Sequence, residues 1–120
     1  MDKSILIVDD HKKLRENLYD VLLSKGYEVI ETSDGNRALQ YLELHKVDVV
    51  ITDLLMPNMD GLELSNKIKV FDPRIKVIGM SGGGDVIHKD NLKGMGKILF
   101  DGYLEKPIEI NTLIEHIESN

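Results

Sequence analysis

Five polar residues that could do chemistry stand at the ends of apolar segments in this 120-residue chain. Asp9 and Asp10 follow the first segment, Asp53 follows a later one, and Ser81 and Lys106 follow two more. If the three carboxylates lie together, each close pair costs about 3 kcal/mol at an effective dielectric of 20, so a cation must offset the repulsion. Carboxylate oxygens and retained waters favour Mg²⁺ over Ca²⁺ when the protein ligands are few. The pattern predicts a magnesium site, to which Lys106 adds a positive charge.

Asp53 could also act as a nucleophile. A single Asp after a strand is most often a turn or helix-cap residue. No helix is predicted to begin here before Pro57, so capping does not explain Asp53. A carboxylate can form an acyl phosphate when a metal and a lysine neutralise the phosphoryl oxygens. Asp53 is therefore predicted to accept a phosphoryl group.

Ten segments of alternating type must position these residues. Short β-branched runs indicate buried strands, and apolar residues spaced three and four apart indicate helices. The fourth predicted helix is the least regular, because it contains Gly94 and Gly96, and each glycine lowers helix stability by about 1 kcal/mol relative to alanine. In chain order, the predicted elements are β1 (Ser4–Val8), α1 (His11–Lys25), β2 (Tyr27–Thr32), α2 (Ala38, Leu39 and Leu42 on its apolar face), β3 (Val47–Thr52), α3 (Leu62–Phe71), β4 (Ile75–Met80), α4 (Val86–Leu99), β5 (Asp101–Glu105) and α5 (Ile108–Ile117).

This alternation predicts a single domain of the α/β class over residues 1–120. Strands separated by helices imply right-handed crossovers and a parallel sheet covered on both faces. We expect a three-layer, doubly wound, five-stranded parallel sheet of order 2-1-3-4-5, which is a flavodoxin-like fold. Ligands of such sheets bind at the carboxyl ends of the strands, where the acidic residues are expected to meet.

Composition excludes several functional classes. The chain has no Cys, which rules out disulfides, a thiolate nucleophile and an iron–sulfur cluster. Its net charge of −6 opposes nucleic-acid binding, which requires neutralisation of phosphates. Neither an export signal nor an apolar stretch of about 20 residues is evident, so no membrane association is expected. These features predict a soluble, cytoplasmic protein.

The chain resembles the receiver domain of two-component response regulators along its whole length. Each motif alone is weak, but their order on five consecutive strand ends is highly specific. The matching motifs are Val8-Asp9-Asp10, Asp53 with Met56-Pro57 and Asp60-Gly61, Met80-Ser81, and Tyr103-Leu104-Glu105-Lys106-Pro107.

The resemblance implies a phosphorylation-activated switch within a phosphorelay. Asp53 would accept a phosphoryl group from a sensor histidine kinase or a histidine phosphotransfer protein. Mg²⁺ would be bound by Asp10, Asp53 and the Leu55 carbonyl, and by Asp9 through a metal-bound water. Ser81 would hydrogen-bond a phosphoryl oxygen.

The resemblance also implies a readout of the phosphorylated state. Lys106 would pair with another phosphoryl oxygen, and the rotamer of Tyr103 would report the state to a downstream protein through the α4-β5-α5 face. The domain would catalyse its own phosphoryl transfer and autodephosphorylation, but would act mainly as a switch. Leu55 and Gly83 occupy the positions at which the family tunes the lifetime of the phosphate.

Three features depart from the family pattern. Lys106 follows Ser81 by 25 positions, a little more than usual, and three glycines follow Ser81. Leu99-Phe100 replaces the small Gly-Ala pair that usually precedes the fifth strand, so α4 is expected to be short or displaced. No role is assigned to a histidine, because a lone histidine at a helix start, such as His11, is usually solvated, and the others lack partners at metal-ligand spacing.

Two other functions are compatible with parts of the sequence. A flavin-binding electron carrier shares the fold, but Asp9 and Asp10 would repel the FMN phosphate; a yellow protein would support it. A metal-dependent phosphatase could use Asp53 as a transient nucleophile, but the small domain leaves no room for a substrate pocket; multiple turnover on a phosphate ester would support it. The chain ends with the last predicted helix, so it either works through protein contacts or belongs to a longer protein.

Overall fold

The computed structural model describes residues 3–82 and 100–119. Within these ranges the chain forms five strands and four helices, which confirms the predicted alternation. Predicted helix α4 and Gly83 lie outside the described residues. The described elements are β1 (Ser4–Val8), α1 (Lys12–Ser24), β2 (Glu28–Thr32), α2 (Gly35–Leu44), β3 (Val49–Asp53), α3 (Gly61–Phe71), β4 (Lys76–Ser81), β5 (Gly102–Glu105) and α5 (Ile110–Glu118).

The strands form one sheet of order β2-β1-β3-β4-β5, and all neighbouring pairs are parallel. This confirms the predicted flavodoxin-like fold. The register pairs Val8 with Thr52, Asp53 with Met80, and Ser81 with Glu105. The carboxyl ends of the strands therefore lie side by side at one edge of the sheet, with β1 next to β3.

Two apolar cores cover the two faces of the sheet, because side chains alternate along each strand. Leu6 and Val50 belong to one core together with residues of α2 and α3. Ile7 and Ile51 belong to the other core together with residues of α1 and α5. The central strands are buried on both faces, which is why they were recognisable as continuous apolar runs.

Several helix boundaries differ from the predicted ones because capping residues set them. α5 begins at Ile110 rather than Ile108, since the Glu109 carboxylate accepts hydrogen bonds from the backbone N–H groups of Asn111 and Thr112. α2 begins at Gly35, since Asp34 accepts from the N–H of Arg37 at 2.8 Å. The apolar spacing used to predict the helices does not report such caps.

The unusual Phe100 before β5 fills space in the core. It is buried beside Gly79 of β4, where a Cβ atom would lie 2.9 Å from the ring. Gly79 therefore admits the ring, and Phe100 in turn stacks on Tyr103 with centroids 6.4 Å apart. None of the helices in the described part of the chain has the length and apolar content needed to cross a lipid bilayer.

Candidate functional site

Asp53 is the last residue of β3, and a glycine of α3 holds its backbone in place. The Gly61 N–H donates to the Leu54 carbonyl at 2.8 Å. A Cβ atom on Gly61 would lie 2.3 Å from the Asp53 carbonyl oxygen, so only glycine allows this approach. β3 begins two residues later and ends one residue later than predicted, which places Asp53 within the strand rather than after it.

The loop between β3 and α3 explains the rest of the Met56–Gly61 motif. Asn58 adopts a left-handed backbone with φ of 72°, a conformation that Asn tolerates better than most residues. Met59 is buried against Gly35, and Asp60 caps α3 by accepting from the Glu63 N–H at 2.8 Å. These contacts shape the loop that carries Leu55 past the site.

The carboxylates predicted to meet do so at the carboxyl edge of the sheet. One ligand atom from each of Asp9, Asp10, Asp53 and His11 lies within 4.8 Å of the others. Asp9 is 0% exposed and Asp53 is 3% exposed, whereas Asp10 and His11 face solvent. The cluster is therefore open on one side and buried on the other.

Asp9 is oriented by its neighbours on α1. Its Oδ1 accepts from the His11 N–H at 2.9 Å, and its carbonyl accepts from the Arg15 guanidinium at 2.8 Å. Arg15 also bonds Glu31 of β2 at 3.2 Å. The Asp9 Oδ2 atom is buried and accepts no hydrogen bond from residues 3–82 or 100–119.

Lys106 supplies positive charge at the base of the site. Its Nζ lies 3.2 Å from Asp53 Oδ1 and 3.6 Å from Asp9 Oδ2. Its backbone N–H donates to the Ser81 carbonyl at 2.7 Å, so β4 fixes where the side chain starts. The peptide bond between Lys106 and Pro107 is cis.

Burial raises the pKa of the Asp53 carboxyl above its ordinary value of 3.8, and repulsion from Asp9 adds to this effect. The Lys106 ammonium and the Leu54 N–H, which donates to Asp53 Oδ1 at 3.0 Å, offset part of the increase in pKa. Desolvation is the largest of these causes. The carboxylate therefore lacks sufficient compensating charge from the protein alone.

The described residues fit a divalent cation. Three carboxylates and one ammonium leave two formal negative charges, which a divalent ion would neutralise. The unpartnered Oδ2 of Asp9 faces Lys106 across the site and is free to accept a hydrogen bond from a metal-bound water. Leu55 lines the same cleft as Asp53 and Lys106, but the role predicted for its carbonyl remains a prediction.

Ser81 and Tyr103 lie next to the acidic cluster on β4 and β5. Ser81 is buried, and its hydroxyl is hydrogen-bonded to the Tyr103 hydroxyl. The Tyr103 side chain is half-buried at the edge of the sheet. The two residues predicted to form a switch are thus in direct contact, while their predicted roles remain predictions.

Two residues of this site, His11 and Arg15, have no role predicted from the sequence. His11 was expected to be solvated; its ring is indeed exposed, yet Nδ1 lies 3.3 Å from Asp9 Oδ1 and 3.5 Å from Asp10 Oδ1. Its position directly after the paired aspartates was the available signal. Arg15 lies one turn further along α1, and only the pairing of β1 with β2 brings Glu31 within its reach.

The chain matches known proteins over nearly its whole length. The sequence profile of the response regulator receiver domain matches residues 5–118. Sporulation initiation phosphotransferase F of Bacillus subtilis is 30% identical over 118 residues, covering 98% of this chain and 93% of that protein. Sensor histidine kinase RcsC of Escherichia coli is 35% identical over 112 residues, covering 93% of this chain but only 12% of the kinase.

Solved structures agree with this assignment. A response regulator receiver domain protein from Clostridium thermocellum has a TM-score of 0.85 and 32% identity, covering 96% of this chain and 90% of that one. Response regulator protein TrrA from Thermotoga maritima, in complex with Mg²⁺-BeF, has a TM-score of 0.83 and 28% identity, covering 97% and 96%. This chain therefore belongs to the response regulator receiver domain family of two-component signalling, and its acidic pocket is consistent with a phosphoacceptor site.

Proposed function

We propose that this domain is a phosphorylation-activated switch in which Asp53 accepts a phosphoryl group from a phosphohistidine donor. The observation that carries the proposal is the contact between the buried Asp53 carboxylate and Lys106, 3.2 Å apart, beside Asp9 and Asp10. This arrangement holds a nucleophilic oxygen and compensating charges in one solvent-open cleft.

In the proposed step, an Asp53 carboxylate oxygen attacks the phosphorus of the phosphohistidine. A new O–P bond forms as the N–P bond breaks, and the electron pair of that bond remains on the imidazole nitrogen, which takes up a proton from solvent. Lys106 stabilises charge on the phosphoryl oxygens, as such transfers require. Because Lys106 touches both Asp53 and Asp9, it needs only a small movement to reach the transferred group.

Asp9, Asp10 and Asp53, with the predicted Leu55 carbonyl, are the groups that would hold Mg²⁺. The ion would neutralise charge on the phosphoryl oxygens and orient the donor. Asp9 is the most buried of these carboxylates, and its contacts with the His11 N–H and with Lys106 keep it in place. We propose that Asp9 accepts a hydrogen bond from a water on the ion and does not bind the ion directly.

Ser81 and Tyr103 would convert phosphorylation into a conformational change. The Ser81 hydroxyl bonds Tyr103 in this structure, and a phosphoryl group on Asp53 would compete for that hydroxyl. Exchange of one partner for the other would shift a two-state equilibrium of the Tyr103 ring. The α4-β5-α5 face would then present a different surface to a protein partner.

The relatives support this placement within a phosphorelay. One of them bears the name of a phosphotransferase and another that of a sensor histidine kinase. We infer that the donor here is likewise a histidine kinase or a histidine phosphotransfer protein, and that hydrolysis of the acyl phosphate resets the switch. The net charge of −6 opposes direct binding of nucleic acid by this domain.

The proposal is tested by intact mass spectrometry after incubation with acetyl phosphate and Mg²⁺. We expect a gain of about 80 Da, the mass of one phosphoryl group. The gain should vanish in Asp53→Ala and without Mg²⁺, and should persist in Asp20→Ala, whose aspartate is exposed on α1. An unmodified wild-type protein, or an unchanged gain in Asp53→Ala, would refute the assignment of Asp53.

A further inference from the structure

His11 brings a nitrogen atom into a cluster that otherwise offers only oxygen. Its Nδ1 lies 3.3 Å from Asp9 Oδ1, 3.5 Å from Asp10 Oδ1 and 3.8 Å from Asp53 Oδ2. Each of these oxygens comes from a different carboxylate. The imidazole nitrogen is therefore at the centre of the acidic group rather than at its margin.

These distances are close to those between neighbouring ligands of one metal ion. Metal–ligand bonds of about 2.1 Å place adjacent donor atoms about 3.0 Å apart in an octahedron and about 3.4 Å apart in a tetrahedron. The distance from Nδ1 to Asp9 falls in this range, and the distances to Asp10 and Asp53 exceed it slightly. A small contraction around an ion would bring His11, Asp10 and Asp53 to bonding distance, with Asp9 held through a water on the ion.

A second observation points to a ligand at the same place. Asp9 is fully buried, and its Oδ2 accepts no hydrogen bond from the described residues. A buried carboxylate oxygen without a hydrogen bond is rare in folded proteins, and the Lys106 ammonium 3.6 Å away offsets only part of its desolvation. A water on a bound ion would donate the missing hydrogen bond to this atom.

The local backbone, rather than helix capping, orients the ring. His11 is the N-cap of α1, yet its side chain makes no capping hydrogen bond. Its own N–H instead donates to Asp9 Oδ1 at 2.9 Å, which folds the residue back over the carboxylates. The ring is 68% exposed, so an incoming ion reaches it directly from solvent.

We propose that His11 is a nitrogen ligand of this site and makes it selective for first-row transition ions such as Ni²⁺ and Co²⁺ over Mg²⁺. Imidazole suits those ions, whereas Mg²⁺ prefers oxygen ligands and retained water. The inference deepens the proposed function, on which it rests, by naming the residue that sets which ion occupies the phosphoacceptor site. His11 would bind beside Asp10 and Asp53, so Mg²⁺ still binds through these carboxylates when the imidazole is absent.

The test is calorimetric titration of untagged, chelator-treated protein with Ni²⁺ alone and with Mg²⁺ alone. We expect His11→Gln to weaken Ni²⁺ binding at least about tenfold and Mg²⁺ binding less than about twofold. His45→Gln, an exposed histidine at the end of α2, should change neither. The visible spectrum of bound Co²⁺ should also differ between wild type and His11→Gln, because one nitrogen ligand is lost.

Equal Ni²⁺ affinity of wild type and His11→Gln would overturn the proposal, as would an equal loss for both ions. Failure of the proposed function and failure of the role of His11 give different results. If acetyl phosphate does not modify Asp53 but His11→Gln selectively loses Ni²⁺, the mixed-ligand site stands and the phosphoacceptor role falls. If Asp53 is modified and Ni²⁺ binding is unaffected by His11→Gln, only the role of His11 falls.

Discussion

Replacing Asp53 by Asn should stabilise the metal-free protein, since it removes a charge from a crowded site. At an effective dielectric of 20, repulsion from Asp9, with ligand atoms within 4.8 Å, is at least about 3.5 kcal/mol, and attraction to Lys106 at 3.2 Å is about 5 kcal/mol. Repulsion from the more exposed Asp10 offsets much of the difference between them. The Asp53 carboxylate is 3% exposed, and its desolvation costs several kcal/mol. This cost decides that removing the charge raises the free energy of unfolding.

We therefore expect Asp53→Asn to raise the free energy of unfolding by about 1–3 kcal/mol in metal-free buffer at neutral pH. For a domain of this size the midpoint of thermal unfolding should rise by roughly 4–12 °C. The Asn side chain can still accept from the Leu54 N–H, and Lys106 keeps its contact with Asp9. The substitution thus removes charge with little change in packing.

The pH dependence provides a sharper test, because the pKa of Asp53 is raised in the folded state. Below pH 3.8 the carboxyl is neutral in both states, and the advantage of Asn should disappear. Above that pH the unfolded state ionises more readily than the folded state, so the advantage should grow and then level off above the folded pKa.

The assay is urea unfolding of wild type and Asp53→Asn in a chelating buffer from pH 3 to pH 8. Asp20→Asn, at an exposed position of α1, is the matched control and should differ from wild type by less than about 0.5 kcal/mol. Added Mg²⁺ should stabilise wild type more than Asp53→Asn, since the variant lacks one carboxylate ligand. A clear loss of stability in Asp53→Asn at neutral pH would refute the idea of a crowded, undercompensated site.

Three further predictions concern other contacts. Gly61→Ala should lower the free energy of unfolding by at least about 2 kcal/mol in urea titrations, because its Cβ would collide with the Asp53 carbonyl; an unchanged midpoint would contradict this. Lys106→Met should destabilise the protein by about 3 kcal/mol at pH 7 and by less at pH 3.5, because the Asp53 carboxyl, whose pKa is raised, is then protonated; a pH-independent loss would show that packing dominates. Burial and the hydrogen bond to Glu118 raise the pKa of Tyr27 from 10.0 to about 12, so absorbance titration should show a late ionisation that is lost in Tyr27→Phe, and stability should fall between pH 10 and 12 in wild type but less in Tyr27→Phe.

The periodic pattern of apolar residues was enough to predict the layers of the fold. Buried parallel strands are continuous apolar runs, and helices that cover a sheet carry one apolar stripe, so both types of element have a local signature. The chemistry of Asp9, Asp10, Asp53 and Lys106 was equally visible, because polar residues at strand ends meet at one edge of a parallel sheet. Helix starts at Gly35 and Ile110 were missed, since they depend on caps rather than on periodicity.

Only the tertiary structure decided how the charges of the site are arranged and how far they are buried. The raised pKa of Asp53 follows from burial and from Asp9, which directly follows β1 and is far away in sequence. The need for glycine at position 61 appears only when the start of α3 meets the end of β3. His11 looked solvated in sequence, and only the turn of the backbone at the start of α1 places its ring among three carboxylates. Composition and spacing determine which groups reach the sheet edge, whereas distances, desolvation and unpaired atoms are properties of contacts between segments that the sequence keeps apart.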